Sequence, residues 1–257
     1  MQRITEQAQC QTILQRLRED IPNCVYMYID LAKYGLGNHD LTLWEENDAV
    51  IMRYFDSIQV YGLTEATADA VAQHILQQSV PMVTGTEEDC LILQPLLGSE
   101  WISDAGRTYE VTAMEPCPTP GVVGVGSPSD LAECARLVCS DAGIGGHYQV
   151  ASLTRQFQER FAEGMSRHRI IRQDGRIVGH IATYAEFADI AVSSGLIVAP
   201  EYRGRQFGKI LETYLMQELL AEGKRVFTFL RSEQRYSFFA KHAKARYWAN
   251  GKLTRVT

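Results

Sequence analysis

The stretch with the most chemical content runs LIVAPEYRGRQFGKIL, residues 196–211. An apolar run (Leu196, Ile197, Val198) ends at Pro200. A short loop then passes Arg203, Gly204 and Arg205 before an apolar stripe at helical spacing: Phe207, Ile210, Leu211, Tyr214, Leu215 and Leu219. The start of a helix leaves its first backbone N–H groups unpaired and carries a partial positive charge, and glycines such as Gly204 and Gly208 let a ligand approach the backbone. Arg203, Arg205 and Lys209 add cations at the end of a helix that disfavours them by roughly 0.3–1 kcal/mol each. A bound diphosphate would offset that cost. The loop by itself is also compatible with a basic turn facing solvent.

The elements that must position this turn follow from pattern. Ahead of it lie a helix opened by Ser127, Pro128 and Asp130 and running to Cys139, and an amphipathic helix over 152–163. Strands are expected at 167–173 and 176–185 around the hairpin dipeptide Asp174-Gly175, and at 189–199. After the turn come a helix stopped by Gly223, a short strand at 226–230, a helix capped by Ser232, and a last hairpin turning at Asn250-Gly251. The first half repeats this order more faintly. It has a helix at 5–19, strand-like runs at 24–32, 41–46 and 49–55, a helix at 64–78, a strand near 81–84, and a helix capped by Thr86 with Asp89 in capping-box position. The prolines of MEPCPTPG (114–121) mark an extended connector between the halves.

On these residues the chain resembles the GNAT superfamily of acyl-CoA-dependent N-acyltransferases. The family signature, V-x-P-x-x-R-G-x-x-x-G after a strand, is met by Val198, Pro200, Arg203, Gly204 and Gly208, and the element order matches over 120–257. The resemblance implies an α/β fold of two tandem GNAT-like units, each a mixed, mostly antiparallel central sheet flanked by helices. Residues 1–115 would form a degenerate N-terminal domain, because YGLTEAT (61–67) stands where the arginine and glycine pair should be. Residues 116–257 would bind acyl-CoA. Arg203, Gly204, Arg205, Gln206, Phe207, Gly208 and Lys209 would hold the CoA diphosphate, and Leu196, Ile197 and Val198 would pair with the pantetheine arm, one strand amide polarising the thioester carbonyl. Ser232 and Phe239 fall at the helix positions that face CoA in the family.

Two positions depart from the family pattern. Gln206 replaces the first motif glycine. Phe239 stands where a tyrosine commonly protonates the departing thiolate, so Tyr236, one turn earlier, is the candidate acid. Glu186 and Asp189, at the start of the third strand, are the nearest candidate bases for deprotonating the amine. The implied reaction moves an acetyl or other short acyl group from CoA to a primary amine by direct attack, without a covalent enzyme intermediate. An acyl-CoA-binding sensor or interaction module without turnover is the alternative.

The remaining features narrow the class. The 257 residues are 46% hydrophobic and 22% charged, an ordinary globular composition with room for one or two cores. Residues 1–116 carry 6 basic and 18 acidic side chains, a net −12. Residues 117–257 carry 19 and 13, a net +6, and together they give the −6 of the whole chain. The basic half suits an anionic ligand, and the acidic half suits a cationic amine. Six cysteines without a CxxC pair read as reduced thiols. The histidines at 39, 74, 147, 168, 180 and 242 show no metal-ligand spacing, so no metal is expected. Gly124-x-Gly126 is followed by Pro128 and Ser129, which breaks a dinucleotide fingerprint. Arg167, His168, Arg169, Arg172 and Arg176 cluster on one hairpin, where alternation places some on opposite faces, so a charged strand surface is expected rather than nucleic-acid contact. The expected partners are therefore acetyl-CoA, as acyl donor, and a small-molecule or peptide amine. No nucleic acid or membrane is expected, a cytoplasmic location is, and a homodimer is left open.

Overall fold

A computed structural model describes residues 1–146 and 148–256. In chain order the elements are β1 (Gln2–Arg3), α1 (Gln7–Glu19), α2 (Ile21–Tyr34), β2 (Leu41–Glu46), β3 (Ala49–Tyr54), β4 (Ser57–Tyr61), α3 (Glu65–Gln77), β5 (Met82–Thr86), α4 (Glu87–Leu97) and β6 (Trp101–Met114). There follow β7 (Gly124–Val125), α5 (Leu131–Cys139), α6 (Val150–Ala162), β8 (His168–Gln173), β9 (Arg176–Phe187), β10 (Ile190–Val198), α7 (Phe207–Ala221), β11 (Arg225–Leu230), α8 (Glu233–His242) and β12 (Ala243–Arg255). The chain forms two compact units. Unit 1 holds Met1–Tyr109, Leu230–Glu233 and the segment from Tyr247 onward, and unit 2 holds Glu110–Phe229 and Gln234–Arg246. The units thus differ from a single cut at 115/116, because the chain returns to unit 1 twice.

In unit 1 the strands run β1-β2-β3-β4-β5-β12-β6, with β4 parallel to β5 and β12 antiparallel to β5. Alternation along β3 sorts its side chains. Val50, Met52 and Tyr54 pack with α1 and α2, while Ala49 and Ile51 pack with α3 and α4. Thr86 caps α4 as expected: its hydroxyl accepts from the Asp89 amide at 3.0 Å, and Asp89 Oδ2 accepts from the Thr86 amide at 3.0 Å.

Two expectations for this unit are overturned. The run at 24–32 is helical, part of α2. Its strand-like residues are buried on several sides, with Val25, Met27, Ile29 and Leu31 all at or below 1% exposure. Burial all round hides the helical period, and tertiary packing overrides weak β-propensity. The Asn250-Gly251 hairpin also does not form. Both residues lie inside β12, paired with Thr86 and Gly85. The Asn250 amide group bridges Thr108 Oγ1 (3.0 Å) and Arg231 Nη2 (2.9 Å). Glycine is needed at 251 because a Cβ there would come within 2.6 Å of Cys90, so the close approach is to α4 rather than around a turn.

In unit 2 the order is β6-β11-β10-β9-β8-β7, β10 and β11 parallel and the β8-β9-β10 meander antiparallel. The Asp174-Gly175 turn joins β8 to β9 with φ of 49° and 79°, the paired positive values of a hairpin turn. One sheet face packs α5 and α6 through Cys134, Val138, Leu153, Phe157, Ile170 and Ile177. The other receives α7, where Leu211 sits 3.0 Å from a Cβ built on Gly179. Ser127 caps as expected, and with Asp130 it forms a capping box ahead of α5. Each unit therefore presents two helices, a meander, a helix, a parallel strand and a helix, with α2 rather than a strand as the counterpart of α6.

Candidate active site of unit 2

Strands β10 and β11 are paired only from Ile190–Ser193 against Arg225–Thr228. Beyond Ser193, β10 keeps β9 on one side but leaves β11 on the other. Its register against β9 also breaks, at Val192/Ser193 and again between Ser194 and Ile197. Gly195 and Leu196 are the bulged residues of that second break. Gly195 has φ of +65°, and a Cβ on it would lie 2.4 Å from the Tyr184 hydroxyl. Only glycine fits there.

The bulge is gripped from below by a hydrogen-bonded chain of buried side chains. Gly195 O lies 3.2 Å from His180 Nδ1, His180 Nε2 lies 2.9 Å from His168 Nδ1, and His168 Nε2 lies 3.3 Å from Ser166 Oγ. Phe157 meets the His168 ring edge-on at 4.8 Å. Burial holds the His180 imidazole down to about 4, and burial followed by the neighbouring His180 keeps His168 well below its usual range, so both rings are neutral. Cys134 brings its sulfur to the same pair: the three ligand atoms lie within 4.8 Å of one another, the arrangement closest to a metal site among the described residues. Every ring nitrogen nevertheless has a partner in the chain, which accounts for the pair without an ion. Burial pushes the Cys134 thiol up to about 12, so it is protonated at neutral pH. Neither histidine stands out singly in the sequence. The available signal was the hairpin: a turn at 174–175 brings positions 168 and 180 to one face of β8 and β9.

After β10 the chain makes a single 3-10 turn over Pro200–Tyr202 and enters α7. Gly204 has φ of +83° and open space where a side chain would stand. Gln206, next to the first turn, is left-handed at φ of +62°, which explains why glycine is favoured at this point of the motif. Its exposed side chain makes no cap on α7, the first turn contains no acid, and the first helical bond runs from the Ile210 amide to Gln206 O. The amides of Phe207, Gly208 and Lys209 therefore precede the hydrogen-bonded ladder.

The cations around this turn are held in place. Arg203 donates from Nε to Val198 O (3.0 Å) and from Nη2 to Asp141 Oδ2 (2.9 Å), tying the loop to the strand end. Arg205 stacks over the Tyr202 ring at 5.0 Å. Lys209 Nζ donates to Glu115 Oε2 at 3.3 Å, and the same carboxylate accepts from His242 at 2.7 Å, which with Lys209 pulls the exposed Glu115 carboxyl below its usual range.

The candidate bases, Glu186 and Asp189, fall elsewhere. Glu186 is buried and fully engaged. It takes a two-pronged contact from Arg167 (2.9 and 2.5 Å), a hydrogen bond from Thr183 (3.2 Å) and Lys224 Nζ at 3.1 Å. Asp189 is exposed before β10, its carbonyl accepting from the Arg225 amide. At about 3.3 Å per residue it lies roughly 23 Å along the strand from Leu196. Tyr236 is half-buried on α8. Phe239 is buried at 1% exposure against Phe238 and the Arg235 guanidinium. Ser232, just before α8, groups with unit 1.

The equivalent turn of unit 1 is closed by its own chain. Strands β4 and β5 also pair over only three residues, Ser57–Gln59 against Met82–Thr84. There the Leu63 amide donates to Asp89 Oδ1 at 2.9 Å, and Glu65 occupies the first turn of α3. An internal carboxylate thus meets the loop amide that a diphosphate would need.

Residues 136–243 match the model of the Acetyltransferase (GNAT) family. None of the curated proteins matches the chain. Among solved structures, a GCN5-related N-acetyltransferase-like protein from Streptococcus suis superposes with a TM-score of 0.65 at 11% identity, covering 96% of this chain and 100% of its own. An acetyltransferase of the GNAT family from Novosphingobium aromaticivorans gives 0.59 at 13%, covering 92% and 99%. A tandem GNAT protein from the clavulanic acid biosynthesis pathway gives 0.59 at 13%, covering 98% and 97%. The splayed parallel pair, the bulged strand and the glycine-arginine turn thus lie in the segment that matches the GNAT family model, and the fold of the chain is that of these solved structures. No helix among the described residues is long and apolar enough to cross a membrane.

Proposed function

We propose that unit 2 is an N-acyltransferase that moves an acetyl or other short acyl group from CoA to a primary amine, and that unit 1 binds no CoA. The observation that carries this reading is the turn from Val198 to Lys209, where uncapped α7 amides and three cations follow directly on the bulged strand. The diphosphate would sit on the amides of Phe207, Gly208 and Lys209, with Gly204 leaving room for it and Arg205 free to swing from Tyr202 to a phosphate. The pantetheine arm would pair with the open edge of β10 at Leu196–Val198. A β10 amide would face the oxyanion formed when the amine attacks the thioester, so that positioning and amide hydrogen bonding supply most of the catalysis.

The proton of the attacking amine passes to water in this reading, since Glu186 is held between Arg167 and Lys224 and Asp189 stands far along the strand. Tyr236 returns a proton to the CoA thiolate. The occupied Glu186 and the buried Phe239 are what favour the second reading, a module that binds acyl-CoA without turnover. Calorimetry with acetyl-CoA, beside thiol release over a panel of amines, separates the two. The enzyme reading expects micromolar binding, release with at least one amine, and a roughly tenfold or greater loss of kcat in Tyr236→Phe at unchanged KM for acetyl-CoA. Binding with no release on any amine supports the module. No binding removes both.

A further inference from the structure

The chain of Ser166, His168 and His180 ends on one peptide group of the bulge, and its direction is fixed by elementary bookkeeping. A carbonyl oxygen only accepts, so His180 Nδ1 carries the proton that meets Gly195 O. A neutral imidazole has one N–H, so His180 Nε2 is an acceptor and His168 Nδ1 donates to it at 2.9 Å. His168 Nε2 is then an acceptor, and the Ser166 hydroxyl supplies its proton at 3.3 Å. Three hydrogen bonds point the same way, all toward Gly195 O, and bonds aligned in series polarise one another by about 10–30% each.

The other end of that peptide group is the Leu196 amide. The Gly195–Leu196 bond is trans, so its N–H points opposite to its C=O. The carbonyl is drawn toward His180 on β9. The Leu196 N–H therefore points away from the His180 ring, in the stretch of β10 that β11 leaves after Ser193. The left-handed φ of Gly195 and the Tyr184 ring against its α-carbon fix the same peptide from two further sides.

We infer that His180 is a positioning residue for acyl transfer: through Gly195 O it orients and polarises the Leu196 N–H, which is the hydrogen-bond donor to the thioester oxyanion. His168 and Ser166 extend the same device. The inference rests on the acyltransferase reading, and names the particular amide and the buried side chains that set it.

The test uses the full chain with acetyl-CoA and whichever amine releases thiol. His180→Phe keeps the ring and removes the donor, whereas His180→Asn places an amide N–H close to the lost Nδ1. The expected result is a kcat lower by about 10- to 100-fold in His180→Phe, KM for acetyl-CoA within twofold, and recovery to within about threefold of the parent in His180→Asn. The 15N resonance of the Leu196 amide, which reports hydrogen bonding to the carbonyl before it, should move in His180→Phe and return in His180→Asn. Unchanged kcat in His180→Phe, or equal losses in both variants, overturns the inference. If His180→Phe fails to fold, Ser166→Ala cuts the first link with both rings intact. It should lower kcat by about two- to threefold and shift the Leu196 resonance in the same direction, and no change in either overturns the inference. If the parent binds acetyl-CoA yet acylates no amine, the acyltransferase reading fails by itself. The Leu196 resonance then decides the coupling alone: movement in His180→Phe supports it, and a fixed resonance overturns it.

Discussion

Gly195 shows how one backbone angle constrains a site. Its φ of +65° is a conformation side chains tolerate at a cost of roughly 1–2 kcal/mol. A methyl group there would also stand 2.4 Å from the Tyr184 hydroxyl. Gly195→Ala is expected to cost about 2–4 kcal/mol in urea unfolding and to weaken acetyl-CoA binding in calorimetry through displacement of the bulge. An unfolding midpoint equal to the parent's would mean that the bulge relaxes without strain. The sequence announced this region only in part. Arg203, Gly204 and Gly208 were legible because they match the GNAT signature between a strand and a helix, and the turn stands there. Gly195 was visible only as a break in an apolar run, and the histidines not at all as a pair, because their meaning depends on the cross-strand register.

Between elements, unit 2 is joined at one end by a charged network rather than by apolar contact. Arg167, just before β8, holds Glu186 of β9 and also Glu222 after α7 (2.6 Å), while Lys224 reaches Glu186 from the start of β11. Arg169 pairs with Glu218 of α7. The alternation expected of this arginine-rich hairpin is present, with Arg167 and Arg169 facing α7 and His168 turned toward α6. Breaking a buried pair from one side leaves a charge without its partner. Arg167→Met should therefore destabilise the protein by about 2–4 kcal/mol, seen as a lower thermal midpoint. A shift of less than a few tenths of a kcal/mol would reduce the network to surface decoration. The elements themselves were largely readable. Helices with a boundary signal in the sequence, such as α4 with its Thr86 cap and α7 with its Gly223 stop, fell where pattern put them. The run buried on several sides did not: α2 hid its period.

At the scale of the molecule, two buried neutral imidazoles make stability depend on acid. The unfolded chain takes up a proton at His180 near the ordinary value of 6.5, whereas the folded protein resists until about 4. The unfolded state thus binds more protons between those values, and stability falls as pH drops through that window, then levels once the folded ring is also charged. The loss attributable to His180 is about 3 kcal/mol, to which His168 adds in the same direction. Urea midpoints at pH 7.5 and pH 4.5 should show a clearly smaller drop for His180→Asn, which has nothing to titrate there. Equal drops would place the acid sensitivity in the carboxylates instead.

The return of the chain to unit 1 bears on the order in which the molecule can be built. β12 lies between β5 and β6 in the unit 1 sheet, with Leu253 buried in that unit's core beside Val83 and Cys90. A ribosome delivers residues 1–109 first, yet the strand that fills this place emerges only after all of unit 2 has been synthesised. Until then β5 and β6 are exposed edges with an open slot between them, a template for any stray strand. The nascent first unit therefore waits, unsealed, for the segment that begins at Tyr247, and a ribosome stalled anywhere before it would hold a half able to pair with its neighbours on the same message.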